Sequence, residues 1–188
     1  GGELAVALAA RHPERVRALV LVAASPCFVQ RPDWSAAMPA TVFQQFRDFF
    51  EEDADATLIR FLSLQCRGSA RMKEDIRFLQ EILHFHGLPA PKALRAGLAL
   101  LAGLDLRSEF AALAQPVQCI LGAADQLVPV TLAGELKALR PETVTTVIEG
   151  SGHVPFLAQP AQFLAAFRDY FGISDERFAA IRKEVLAP

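Results

Sequence analysis

Two side chains that could act as a general base and its partner follow two strand-like stretches in the second half of the chain. Asp125 lies in "LGAADQLVP", directly after the apolar stretch "VQCILG" at 117–122. His153 lies in "EGSGHVPF", after "VTTVIEG" at 144–150. In open parallel sheets, ligands bind beyond the carboxyl ends of the strands. We therefore expect both side chains to meet at one edge of a sheet.

A carboxylate beside an imidazole has a defined chemical use. The carboxylate holds the imidazole in one tautomer and stabilises its protonated form, so the imidazole can act as general base and then as general acid. An aspartate after a strand often only shapes a turn, and a lone histidine in a glycine-rich loop is often a surface residue. Because both occur in the order Asp then His at matching positions, we interpret Asp125 and His153 as a catalytic pair.

The remaining histidines and the cysteines have no comparable setting. His12 ends a predicted helix, while His84 and His86 lie on another, with no carboxylate at the spacing of a metal site. The three cysteines are widely spaced and odd in number, which is typical of buried thiols in a cytoplasmic protein. The sequence therefore predicts no metal, no cofactor and a cytoplasmic location.

Composition narrows the classes of function. The chain has 188 residues, a formal net charge of −2 and 52% apolar residues, so it can bury a core but has no basic surface for nucleic acid. It has no uninterrupted apolar stretch of about 18 residues, so no membrane-spanning helix is expected. These values favour a globular domain whose partners are neither nucleic acid nor a membrane.

The elements that would position the pair alternate between strand and helix. The stretch "VRALVLVAA" at 16–24 is nearly continuous in aliphatic residues, as in a parallel strand that is covered on both faces. Helices are predicted at 3–12, before this strand, at 131–140, between the two later strands, and at 160–171, after them. This order favours right-handed parallel crossovers, and hence an α/β fold.

The stretch between the first strand and the later two has a different pattern. It contains no convincing strand and four helical stretches, which begin with "ATVFQQ", "ATLIRF", "ARMKED" and "KALRAG". The sequence therefore predicts an α/β core made of residues 1–28 and 108–188, with an inserted all-helical cap at 29–107.

These features resemble the α/β-hydrolase superfamily along the whole chain. In that fold the nucleophile lies in a Gly-x-Ser-x-Gly turn between a strand and a helix, ahead of Asp and His. The stretch "GGELAVALAARHPERVRALVLVAASP" is similar to the helix and strand that follow this turn, with Gly1 as the closing glycine. The resemblance implies a C-terminal part of the fold, a serine two residues before Gly1, and a missing N-terminal half that pairs with the strand at 16–24.

Within that superfamily, several stretches are similar to the pimeloyl-acyl-carrier-protein methyl ester esterases of the biotin pathway. They include "SPCF", "RFLSLQ", "GAADQLVP" and "HVPFLAQPAQF". The resemblance implies a carboxylesterase with a four-helix cap that hydrolyses the methyl ester of a pimeloyl chain carried on acyl carrier protein. It implies acyl carrier protein as the partner and a monomer when the fold is complete.

The same resemblance implies roles for individual residues. Asp125 would orient His153. The residues expected to line the acyl channel together with His153 are Phe61, Leu62, Ser63, Leu64 and Gln65. The residues expected to contact the acidic carrier protein are Arg60, Lys73 and Arg77. Two of these basic residues are four apart and would share a helix face, which is also the pattern of an ordinary solvated surface.

Other functions fit parts of the pattern. Ser25 precedes Pro26 without the glycine framing of the nucleophile turn, Ser63 is in the middle of a predicted helix, and Ser151 lies beside His153 in a turn. None of them replaces the nucleophile, and some members of the superfamily use Asp or Cys in place of Ser. A general esterase, a lactonase, a peroxidase or a C–C hydrolase would share the fold, with the acyl pocket set by the cap. The alternative from another class is a non-catalytic fragment that binds acyl chains or a partner through the helical subdomain.

Overall fold

A three-stranded parallel sheet organises the part of the chain that the computed structural model describes. That part comprises residues 1–87, 89–174 and 176–177; the predicted core segment 108–188 extends beyond it. The strands, in spatial order, are β1 (Leu19–Val22), β2 (Val117–Gly122) and β3 (Val144–Ile148). Both strand pairs are parallel, so all three carboxyl ends lie at the same edge. The α/β class predicted from the sequence is confirmed.

Helices flank the sheet and fill the insertion between β1 and β2. The α-helices of the described residues are α1 (Gly2–Arg11), α2 (Ala40–Glu52), α3 (Ala54–Gln65), α4 (Met72–His86), α5 (Pro91–Gly103), α6 (Arg107–Ala111), α7 (Leu132–Leu139), α8 (Pro155–Ala158) and α9 (Pro160–Phe171). A 3₁₀ turn follows α1 at Pro13–Arg15. Within the described ranges, none of these helices is long and apolar enough to cross a membrane.

The first strand is shorter than the sequence predicts. The aliphatic stretch runs over 16–24, but β1 spans only Leu19–Val22. Ala23 has a φ of 45°, in the left-handed region that residues with a side chain rarely adopt. Its N–H still donates to the Ile120 carbonyl oxygen at 2.8 Å, but the chain then turns away from the sheet. Hydropathy could not indicate this turn, because the residues after it are also apolar.

Alternating side chains of β2 bind the two helical layers to the sheet. Val117, Cys119 and Leu121 pack into a cluster with buried residues of α1, α6 and α7. Gln118 points to the other face, where its Nε2 donates to the Ala166 carbonyl oxygen of α9 at 2.9 Å. Every residue of β2 is buried, as expected for the central strand of a parallel sheet covered on both faces.

The predicted helical cap corresponds to α2–α5, which leave the core after β1 and return before β2. Met38, Phe43 and Leu127 form a second buried cluster that joins the insertion to the loop after β2. At the base, the Arg107 guanidinium donates to Asp105 at 2.6 Å and to Asp33 at 3.0 Å. These contacts tie the entry and exit of the insertion to each other.

Phe110 offers a test of the core assignment. It is fully buried in α6, so the cavity left by Phe110→Ala should lower the free energy of unfolding by about 3–5 kcal/mol. Urea unfolding followed by circular dichroism measures this change. Phe85→Ala is the matched control, since Phe85 is 85% exposed and its removal should cost less than about 0.5 kcal/mol. Equal urea midpoints for the two variants would contradict the assignment.

Candidate active site

His153 and Asp125 meet where β2 and β3 end. The distance between His153 Nδ1 and Asp125 Oδ2 is 2.9 Å. The Asp125 side chain is 0% exposed and the His153 side chain is 22% exposed, so the pair is shielded on its carboxylate side and open on its imidazole side. The contact expected from the positions of these residues in the sequence is present, and its catalytic use stays a prediction.

The turn after β2 holds the Asp125 carboxylate in one orientation. Asp125 Oδ1 accepts hydrogen bonds from the backbone N–H groups of Leu127 at 2.8 Å and Val128 at 3.1 Å. With Oδ1 used in this way, Oδ2 faces the imidazole. A carboxylate on Nδ1 favours the tautomer that carries its proton there. The other ring nitrogen, Nε2, is then the one that can accept a proton from a reacting group.

A cavity of about 510 Å³ lies beside His153. The core contributes Gly1, Gly2 and Glu3 from the start of α1, and Ser25 from the loop after β1. The cap contributes apolar side chains, among them Met38, Phe43, Phe46, Phe61, Leu64 and Leu98. A largely apolar cavity with a few polar groups is the usual form of a small-molecule site.

Only part of the predicted channel segment reaches this cavity. Phe61 and Leu64 line it, while Leu62, Ser63 and Gln65 are not among the described residues of its wall. The reason is helical periodicity, since residues three apart share a face and their neighbours turn away. Leu62 is 8% exposed and packs elsewhere. The lining role therefore narrows to Phe61 and Leu64, and it remains a proposal for them.

Backbone contacts hold the His153 loop between the cap and the sheet. The His153 N–H donates to the Gln65 carbonyl oxygen at the end of α3, at 3.0 Å. A Cβ added to Gly152 would overlap the Arg67 carbonyl oxygen, and one added to Gly122 would overlap the Gly152 carbonyl oxygen. Glycine is therefore required at both positions by close backbone approach. Sequence reasoning missed this role of Gln65, because the contact is made by its backbone carbonyl oxygen and does not depend on its side chain.

The hydroxyl groups of the three serines considered as nucleophiles all donate hydrogen bonds to backbone carbonyl oxygens. Ser25 Oγ lies on the cavity wall but donates to the Cys27 carbonyl oxygen at 2.7 Å. Ser151 is fully buried and its Oγ donates to the Gly152 carbonyl oxygen at 3.1 Å. Ser63 Oγ donates back within α3. A hydroxyl group has one proton, so none of the three donates to His153 in this arrangement.

The basic residues assigned to a carrier protein lie on the outer side of the cap. Arg60 is on α3, with its guanidinium 6.0 Å from the Phe49 ring centroid. Lys73 and Arg77 are on α4, where Arg77 Nε donates to Glu81 at 3.0 Å. All three are exposed, so they are accessible to a partner. Their part in binding one stays a proposal.

Glu3 is a residue of the cavity that sequence reasoning missed. It is 8% exposed, and burial raises the pKa of its carboxyl to about 7, against the opposing effect of a hydrogen bond from the Phe28 backbone. The available signal was one acidic residue in the otherwise apolar stretch "GELAVALAA". Acidic residues are common in the first turn of a helix, so the signal was not specific.

The layered α/β core and the Asp–His pair at the strand ends define the class of protein. The α/β hydrolase fold family matches residues 1–160, and the chain belongs to that family. The fold is similar to that of an esterase from Exiguobacterium antarcticum, with a TM-score of 0.80, 20% identity and coverage of 90% of this chain and 63% of that one. The fold is also similar to that of a bromoperoxidase from Bacillus anthracis, with a TM-score of 0.78, 18% identity and coverage of 92% of this chain and 64% of that one. The predicted fold is confirmed.

Curated relatives give a narrower likeness, to proteins named pimeloyl-[acyl-carrier protein] methyl ester esterase. The one from Aeromonas hydrophila subsp. hydrophila is 38% identical over 172 residues, which is 92% of this chain and 67% of that protein. The one from Xanthomonas campestris pv. campestris is 41% identical over 170 residues, which is 90% of this chain and 67% of that protein. The chain thus spans about two thirds of the length of these relatives, and the resemblance stated from the sequence is confirmed.

Gly152 tests whether close packing places the His153 loop. Gly152→Ala should lower the thermal midpoint by several degrees, because the new methyl group displaces the backbone after α3 or the loop itself and costs about 1–3 kcal/mol. Gly134→Ala is the matched control, because Gly134 lies in α7 with open space around its Cα. That change should be neutral or stabilising by about 0.5–1 kcal/mol. Differential scanning calorimetry compares them, and an unchanged midpoint for Gly152→Ala would contradict the close approach.

Proposed function

We propose that this chain carries the general base and the acyl-binding cap of a cytoplasmic carboxylesterase. The substrate is the methyl ester of a pimeloyl chain borne by acyl carrier protein, and the reaction belongs to biotin synthesis. The observation that carries the proposal is the 2.9 Å contact between His153 and Asp125 beside an apolar cavity. The substrate rests on the names of the relatives at 38–41% identity.

The start of α1 indicates where the nucleophile would act. Gly1 and Gly2 share the cavity wall with His153, and the helix N-terminus directs its free N–H groups and positive dipole towards that space. A serine two residues before Gly1, in a Gly-x-Ser-x-Gly turn, would place its hydroxyl there. An oxyanion formed on the substrate would lie near the same positive end of the helix.

The reaction follows the serine esterase scheme, with His153 moving the protons. Nε2 of His153 removes the serine proton as the oxygen attacks the ester carbonyl, and then returns it to methoxide, which leaves as methanol. Water next attacks the acyl-enzyme and gives a proton to Nε2, which passes it to the serine oxygen as the bond to the acyl group breaks and the free acid is released. Asp125 stays ionised throughout and stabilises the imidazolium.

The cavity suits the acyl part of this substrate. A pimeloyl chain is a run of methylene groups, and each CH₂ removed from water contributes about 0.8 kcal/mol to binding. Phe61 and Leu64 from α3, and Leu98 from α5, present apolar surface to it. A volume of about 510 Å³ is within the range of small-molecule sites.

The first test of the proposal is hydrolysis of a p-nitrophenyl ester. The 188-residue chain should act near the buffer rate, whereas the same chain extended upstream through the proposed serine turn should turn the ester over. In the extended chain, His153→Ala should lower kcat by roughly 10⁶-fold and Asp125→Asn by roughly 10⁴-fold. The exposed His84→Ala on α4 is the matched control and should leave kcat unchanged.

Three outcomes would contradict this assignment. Full turnover by the extended His153→Ala protein would show that another group is the base. Robust turnover by the 188-residue chain, abolished by Ser25→Ala or Ser151→Ala, would show that the nucleophile is misplaced. An extended chain that is folded and inactive on every ester would favour the non-catalytic alternative.

A charge reversal on the cap tests the proposed carrier-protein surface. Lys73→Glu should raise KM for the carrier-borne ester about two- to fivefold at low salt, the effect of a surface ion pair worth up to ~1 kcal/mol. The increase should vanish at high ionic strength, and kcat/KM for a small free ester should not change. Lys137→Glu, an equal charge change on the exposed side of α7, is the control. Equal effects of the two variants would contradict a docking role for Lys73.

A further inference from the structure

Two ionisable side chains lie on an otherwise apolar cavity wall. Among the described residues that line it, only Glu3 and His153 can carry a side-chain charge. The proposed reaction uses His153 and has no role for Glu3. Glu3 is more than nine-tenths buried, and its Oε1 atom has no hydrogen-bond partner among the described residues. A buried carboxyl without full hydrogen bonding is costly to ionise, so its presence here calls for a functional explanation.

The surroundings of Glu3 allow its charge to change near neutral pH. Burial raises the pKa of its carboxyl to about 7, while a hydrogen bond from the Phe28 backbone favours the ionised form. His153 is the other ionisable side chain on the described wall. The described residues of the cap and of the loop after β1 present only apolar groups, glycine and Ser25 to this space.

We propose that Glu3 is a specificity-determining residue that, when ionised, disfavours carboxylate ligands in this cavity and so favours the neutral ester over its acid product. The inference rests on the proposed function, because it takes an ester as substrate and a carboxylate as product. Two like charges in one poorly solvated cavity repel strongly, whereas a neutral ester feels no such repulsion. Glu3 therefore promotes release of the product formed beside His153, whose protonated form would otherwise retain it.

Binding of two ligands that differ only in charge tests this role. Heptanoate and heptanamide are titrated by calorimetry into the protein at its full natural length, as wild type and as Glu3→Gln, at pH 6 and pH 8.5. The variant should bind heptanoate about tenfold more tightly than wild type at pH 8.5, equal to one pKa unit of coupling. At pH 6, where Glu3 is largely protonated, the difference should be much smaller. Heptanamide should bind both proteins equally at both pH values.

Controls separate a charge effect from a packing effect. Glu14→Gln removes one carboxylate from an exposed position, since the Glu14 side chain is 68% exposed, and it should not change heptanoate binding. Glu3→Gln should also be stabilised relative to wild type above pH 7. The reason is that a folded-state pKa above the unfolded value makes wild type lose stability as pH rises from 4.5 to about 7.

Several results would overturn the inference. Equal heptanoate affinity for wild type and Glu3→Gln at pH 8.5 would show that Glu3 does not act on anions in the cavity. Equal gains for heptanamide would indicate repacking, and no binding of either ligand to wild type would show that Glu3 faces no ligand. The measurement is equilibrium binding and involves no hydrolysis. Each of these results would therefore contradict the role of Glu3 without contradicting the proposed role of His153 in hydrolysis. Hydrolysis that does not depend on His153 would contradict the proposed function and leave the binding result intact.

Discussion

The close approach of three backbone segments is the constraint on which the site depends. The loop that carries His153 passes so near the end of β2 that Gly122 has no room for a side chain, and so near the backbone at the end of α3 that Gly152 has none either. On its other side the same loop is hydrogen-bonded to the carbonyl oxygen of Gln65. Main-chain contacts of this kind leave the backbone of the loop little rotational freedom. The His153 imidazole is therefore held with its Nδ1 atom 2.9 Å from Asp125 Oδ2.

This arrangement makes the cap part of the geometry of the Asp125–His153 pair as well as a wall of the cavity. Helix α3 supplies Phe61 and Leu64 to the cavity wall, and its last residue, Gln65, holds the backbone of His153. A shift of α3 therefore changes the shape of the cavity and the position of the base together. The buried cluster of Met38, Phe43 and Leu127 opposes such a shift, because it joins the insertion to the turn that carries Asp125.

Sequence reasoning could predict what depends on periodicity and strand order, and it missed what depends on local backbone geometry. The helical pattern of 40–52 predicts α2 (Ala40–Glu52), and the meeting of Asp125 with His153 follows from parallel strands that share one edge. β1 ends before Ala23 because this residue has a positive φ. An alanine gives no indication of such a conformation in the sequence. Five consecutive residues of a helix, such as 61–65, cannot all face one cavity. The resemblance of this stretch to the esterase family therefore predicted more lining residues than one face of the helix can present.

The cavity divides its chemistry between the two parts of the chain. Among the described residues of its wall, every side chain from the cap, such as Phe61 or Leu98, is apolar, while the ionisable ones, Glu3 and His153, come from the core. The cap is inserted between β1 and β2, so the apolar lining and the ionisable groups are held by different parts of the fold. In the proposed reaction, the cap would bind the acyl chain, whereas the core would act on the ester and on the charge of its product.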